Sequence, residues 1–74
     1  MDKFEIYSGR EYITKDDLEN AVRISIANSI INGSCDVIST EGGEVVATFV
    51  NGLAIWIDGE FYYSVANIIR KLYK

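Results

Sequence analysis

The stretch that decides the fold runs from Cys35 to Tyr63 and reads CDVISTEGGEVVATFVNGLAIWIDGEFYY. It contains three pairs of turn-forming residues, Gly42-Gly43, Asn51-Gly52 and Asp58-Gly59, each flanked by β-branched or aromatic residues. Such pairs suit the positive-φ positions of two-residue hairpin turns. The stretch therefore predicts an antiparallel meander of four strands, at about residues 35–40, 45–50, 53–57 and 60–63.

The turns also predict which side chains share a face of the sheet. Counting outward from Asn51-Gly52 pairs Val50 with Leu53, Thr48 with Ile55 and Val46 with Ile57, which makes one face aliphatic. Counting outward from Asp58-Gly59 pairs Trp56 with Phe61 and Ala54 with Tyr63. The opposite face, which also carries Ala47, is then predicted to hold an aromatic cluster of Phe49, Trp56, Phe61 and Tyr63.

The flanking segments supply two more strands and two helices. Phe4–Tyr7 and Glu11–Ile13 are predicted to form a hairpin that pairs Phe4 with Ile13. Thr14, with Asp17 three residues later, is predicted to open a helix that stops at Asn32-Gly33, and Ser64 to cap a final amphipathic helix. The sequence thus predicts one α+β domain over residues 1–74: a small antiparallel sheet of about five or six short strands, in the order β-β-α-β-β-β-β-α, with two helices packed on it.

The apolar surface predicted for these elements exceeds what a small domain needs to cover itself. The first helix carries one broad stripe through Leu18, Val22, Ile26 and Ile30, and a second stripe through Ile24, Ala27 and Ile31 on roughly the opposite side. In one interpretation each helix covers a face of the sheet, or the first helix lies between the sheet and the second helix, and every apolar residue is core. In the other, the Ile24/Ile31 stripe or the aromatic sheet face is an interface with another molecule.

The composition argues against catalysis. With no histidine, a Ser-His or Cys-His nucleophile pair cannot form, and the single cysteine, Cys35, is followed by Asp36, whose charge disfavours the thiolate. The carboxylates of Asp16, Asp17 and Glu19 suit a helix N-terminus, and that of Asp58 suits a turn. We therefore expect no enzyme, no metal site, no cofactor and no small-molecule substrate.

The charge balance bears on partners and location. Seven basic and eleven acidic residues give a net charge of −4, which disfavours nucleic-acid backbones and anionic membranes. No apolar run is long enough to span a bilayer and the N-terminus does not resemble a signal peptide, so the expected location is the cytoplasm. Eleven isoleucines against three leucines suit either an AT-rich genome, such as that of many low-GC bacteria and their phages, or a β-rich core.

These observations favour a non-enzymatic protein-binding domain, a small accessory regulator or inhibitor that is phage or mobile-element encoded, with a homodimer partner, a host protein, or both. The expected interface residues are Phe49, Trp56, Phe61, Tyr63, Ile24 and Ile31. The alternative is a nucleic-acid-binding regulator that stacks bases on an aromatic sheet face with Tyr7, Tyr12, Trp56 and Phe61, beside the basic C-terminal helix with Arg70, Lys71 and Lys74.

Overall fold

A computed structural model describes residues 3–9 and 11–73 of the chain. It confirms the predicted α+β class, with two helices packed on an antiparallel sheet. The strands are β1 (Phe4–Ser8), β2 (Glu11–Lys15), β3 (Ser34–Ser39), β4 (Val45–Val50) and β5 (Leu53–Ile57); the helices are α1 (Leu18–Asn32) and α2 (Tyr62–Leu72), with a 3₁₀ turn at Gly59–Phe61 between β5 and α2. Lys74, one of the predicted basic residues, lies outside the described residues.

The five strands of the described chain lie in the order β2-β1-β3-β4-β5, and every neighbouring pair is antiparallel. Helix α1 connects β2 to β3, so that β3 returns beside β1 in the middle of the sheet. The strands β2 and β5 are therefore the two edges. Because β5 pairs with β4 alone, its other side has no partner strand within the described residues.

The turn at Asn51-Gly52 forms as predicted, and the turn at Asp58-Gly59 does not. Asn51 and Gly52 have φ values of 51° and 87°, as a type I′ hairpin turn requires. The predicted hairpin at Asp58-Gly59 and the strand over residues 60–63 are wrong. The Asp58 carboxylate instead accepts a hydrogen bond from the backbone N–H of Glu60 at 3.1 Å and starts the 3₁₀ turn that leads into α2.

The predicted helix start at Thr14 is also wrong. Strand β2 continues to Lys15, which pairs with Phe4, and Asp17 is the N-cap of α1, accepting from the Asn20 N–H at 2.7 Å. The predicted pairing of Phe4 with Ile13 is shifted by two residues, since Ile13 pairs with Ile6. A shift of two keeps every side chain on its own face, so Ile13 remains on the same face as Phe4 and Ile6.

The core lies between one face of the sheet and the helices. Strand residues Ile6, Cys35, Val37 and Phe49 are buried there, together with five positions of α1: Ala21, Val22, Ser25, Ile26 and Ser29. Val65 of α2 is buried against the same core, and the Phe61 ring meets the Phe4 ring edge to face, with centroids 6.3 Å apart. Both helices therefore pack on the same side of the sheet.

Candidate functional site

The side of the sheet that faces away from the helices is uncovered by any element of the described chain, and we call it the open face. Paired residues such as Ile6 and Val37 point to the helices and are buried, so their strand neighbours point the other way. Tyr7, Val45, Leu53, Ile55 and Trp56 remain exposed on that side. The apolar residues of the open face are Tyr7, Ile38, Val45, Val50, Leu53, Ile55 and Trp56, with Glu5, Asp36 and Thr48 among them.

A β-bulge in β5 decides which residues reach the open face. Val50 pairs with Leu53 and Phe49 with Ala54, as predicted, but Thr48 pairs with Trp56, so Ile55 has no partner on β4. A bulged residue and its neighbour point to nearly the same side of a sheet. Ile55 and Trp56 therefore both lie on the open face, whereas simple alternation predicted them on opposite faces.

The open face changes in polarity from its centre to its β5 edge. On β1 and β3 it carries the carboxylates of Glu5 and Asp36, and the Thr48 hydroxyl donates to Asp36 at 2.8 Å. On β5 the side chains of Leu53, Ile55 and Trp56 are 70%, 63% and 48% exposed. Exposed apolar side chains that adjoin one another in this way mark interaction surfaces more often than single ones do.

The predicted aromatic cluster does not form. Phe49 has no exposed surface and belongs to the core, while Trp56 lies on the open face behind it. Phe61 lies in the 3₁₀ turn against Phe4, and Tyr63 lies on α2, 81% exposed and in contact with the Tyr62 ring. Of these four predicted interface residues, Trp56 alone is part of the open face.

The two predicted stripe residues of α1 also separate. Ile24 is half-buried and packs against the core, whereas Ile31 is 77% exposed. A second apolar surface is a shallow groove between α1 and the end of α2, which we call the helix groove. It is lined by Ile26, Ala27, Ile30, Leu72 and Tyr73, with Arg23 beside them. Ile30, expected in the core-facing stripe, is exposed in this groove.

The turn between β4 and β5 is held against α1 by hydrogen bonds. The buried Gly52 N–H donates to the Ser29 hydroxyl at 2.8 Å, and that hydroxyl donates to the Ile26 carbonyl at 2.9 Å. The Tyr73 hydroxyl donates to the Gly52 carbonyl at 3.3 Å from the other side. These contacts fix the start of β5, and with it the position of Leu53.

Cys35 is a buried thiol in the core. Burial raises the pKa of this thiol above its ordinary value of 9.0, hydrogen bonding to Ser25 opposes the rise, and the Asp36 charge adds to it. The neutral thiol is a weak nucleophile. The arrangement is that of a structural cysteine, and burial is a stronger cause than the Asp36 charge that the sequence suggested.

The basic residues of α2 lie in the helical layer, away from the open face. Lys71 forms an exposed ion pair with Glu19 of α1 at 3.1 Å, and Arg70 is exposed next to it. In residues 3–9 and 11–73, no three cysteine or acidic side chains are grouped so that they would hold a metal ion. Neither α1 nor α2 has the length and apolar character needed to cross a bilayer.

Sequence reasoning missed Leu53, Ile55 and Val45 as interface candidates, and it named Tyr7 only for the nucleic-acid alternative. A signal was present in β5, whose sequence, Leu-Ala-Ile-Trp-Ile, contains no polar residue at alternate positions. An antiparallel strand with one solvated face normally alternates apolar and polar side chains. Neither a protein-family model, nor a curated protein, nor a solved structure matches this chain. The open face is therefore the feature of the molecule that bears on function.

Proposed function

We propose that this chain is a non-enzymatic protein-binding domain, a small cytoplasmic accessory regulator or inhibitor whose contact surface is the open face. The observation that carries the proposal is the exposure of Leu53, Ile55 and Trp56 beside one another on an uncovered sheet. A regulator or inhibitor of this kind acts by occupying a surface of its partner, so it needs a binding face and no reactive group. The partner is a second copy of the chain or a host protein of a phage or mobile element.

Most of the apolar surface that could contribute binding free energy lies on the β5 side of the open face. Burying a large apolar side chain contributes about 1.5–3 kcal/mol relative to leaving it exposed. Three such side chains on one strand, with Val50 opposite Leu53 on β4, offset part of the cost of association. Tryptophan is among the residues that most often dominate binding energy, so we expect Trp56 to be the main anchor.

Photo-crosslinking tests this proposal directly. A benzophenone side chain placed at Ile55 in the full chain lies on the open face, and one placed at Tyr63 lies on α2 at a position that is even more exposed. After irradiation in cells that express the chain, we expect protein adducts from position 55 and few from position 63. Adducts of equal yield from both positions, or none from position 55, would contradict a specific contact through the open face.

The alternative, nucleic-acid binding, draws on Tyr7 and Trp56, two exposed aromatic side chains on one sheet face. Stacking platforms for single strands lie in basic grooves, whereas this face carries Glu5 and Asp36 and the basic residues of α2 lie in the other layer. Electrophoretic retardation of single- and double-stranded oligonucleotides at low salt distinguishes the two functions. Salt-sensitive retardation by the unmodified chain that disappears in the Trp56→Ala variant would favour nucleic-acid binding and contradict the protein-binding proposal.

A further inference from the structure

The open face has a neutral half that suits contact with an identical surface. From Val45 to Ile57, β4 and β5 carry no charged residue, while the carboxylates of the face, Glu5 and Asp36, lie on β1 and β3. In a two-fold symmetric contact each residue near the axis meets its own copy. When two copies of this neutral half pack together, no like charges are brought close to each other. This favours self-association of a chain whose net charge of −4 would otherwise oppose it.

The available area is of the size that a weak dimer buries. With roughly 200 Å² for a large side chain at full exposure, the four exposed apolar side chains of β4 and β5 (Val45, Leu53, Ile55 and Trp56) offer on the order of 400 Å². The half-buried Thr48 and Val50 of β4 add to this surface. A standard interface buries about 800 Å² per partner and weak interfaces bury less than about 600 Å² per partner, so the β4–β5 half of the open face corresponds to a weak dimer.

The exposed edge of β5 offers a different way to dimerise, by pairing two β5 strands into one longer sheet, and the structure disfavours it. The bulge at Ile55 breaks the regular spacing of donors and acceptors along that edge, which is one way in which proteins block edge pairing. Edge pairing would also leave Leu53 and Trp56 exposed on the open face. Contact through the face buries both.

From these observations we propose that the chain forms a two-fold symmetric dimer in which the β4–β5 halves of two open faces pack against each other. Sheets packed in this way lie about 10 Å apart, with side chains of the two inner faces interdigitating. The dimer then has four layers, helices outside and two sheets inside, with Trp56 buried between the sheets. This inference rests on the proposed function and names a second copy as the partner at the same site.

Trp56 is the only tryptophan of the chain and so reports on its own burial. We expect the molecular mass from light scattering to double as the concentration rises to about 1 mM, with the Trp56 emission moving to shorter wavelength over the same range. Ile55→Glu should raise the dissociation constant of the dimer at least tenfold. The matched control, Tyr63→Glu, introduces the same charge at an exposed residue of α2 and should change it less than twofold.

Each other outcome overturns the inference in a recognisable way. A mass that doubles without any change in Trp56 emission means that the dimer uses another surface, such as the helix groove. A mass that stays monomeric at about 1 mM removes the second copy as the partner, while adducts of a different protein from position 55 would still uphold the proposed function. Circular dichroism of Ile55→Glu verifies that the variant is folded, and Leu53→Asp provides a second exposed position if it is not.

Discussion

Replacing Gly52 with alanine tests how the β4–β5 turn is held against α1. Gly52 has φ of 87°, a conformation that costs an L-residue roughly 1–2 kcal/mol. A Cβ at this position would also lie 3.0 Å from Ile30 Cγ1 and 3.1 Å from Ile30 Cδ1, so the Ile30 side chain must shift. Ile30 is exposed and able to give way, so we assign this contact about 1 kcal/mol, the lower end for overpacking. The expected loss of stability for Gly52→Ala is therefore about 2–3 kcal/mol.

Gly43→Ala is the matched control, because Gly43 has φ of 70° and nothing lies within 4 Å of the added Cβ. It should cost only the backbone part, about 1–2 kcal/mol. In thermal unfolding the two variants should differ by roughly 4–8 °C, the shift for about 1 kcal/mol in a domain of this size. In an Ile30→Ala background, the cost of Gly52→Ala should fall to that of Gly43→Ala. Equal losses for the two glycine variants, or an unchanged loss in the Ile30→Ala background, would refute the reasoning.

Three further predictions concern the core and the thiol. Phe49→Ala should lower the free energy of unfolding by about 3–5 kcal/mol in denaturant titrations, because Phe49 is fully buried. Trp56→Ala should lower that of the monomer by less than about 1 kcal/mol. Similar losses for the two variants would contradict the placement of Phe49 in the core and Trp56 on the open face. Ser29→Ala should lose about 1–3 kcal/mol, because it leaves the buried Gly52 N–H without its acceptor, and a loss confined to a few tenths would show that this bond contributes little. Because the pKa of Cys35 is raised in the folded state, the neutral thiol stabilises the fold below pH 9.0, and this contribution is lost as the pH rises through the pKa of the folded state. The free energy of unfolding, measured from pH 7 to 11, should therefore fall less for Cys35→Ala than for the unmodified chain. Parallel pH dependences for the two proteins would contradict this prediction.

The features that sequence reasoning predicted correctly depend on short-range chemistry. The Asn51-Gly52 turn follows from the positive φ that these two residues tolerate, and the turn then places Val50 opposite Leu53. The end of α1 at Gly33 follows in the same way, since Gly33 adopts φ of 95°. Each of these features depends on neighbours in the chain, which is why a single sequence suffices to place them.

The failures begin where tertiary contacts compete with local preference. Tyr62 and Tyr63 favour strands, yet they open α2, because Asp58 caps a 3₁₀ turn and Val65 is buried against the core of the domain. The predicted aromatic cluster does not form, because the helices cover the sheet face that holds Phe49 and because Tyr63 lies in α2 instead of in a strand. The expectation of an uncovered apolar sheet face agrees with the structure, although a different set of residues forms that face.

The sequence alone established the fold class, the hairpin turn at Asn51-Gly52 and an excess of apolar side chains, because turn chemistry and hydrophobic periodicity act over a few residues. The tertiary structure alone decided that both helices lie on the same side of the sheet and that Ile55 and Trp56 point away from them. The physical reason for the orientation of Ile55 and Trp56 is the bulge at Ile55. One unpaired residue reverses the alternation of β5, and its position is set by β4, whose Ala47 pairs with Ile57 and whose Phe49 pairs with Ala54.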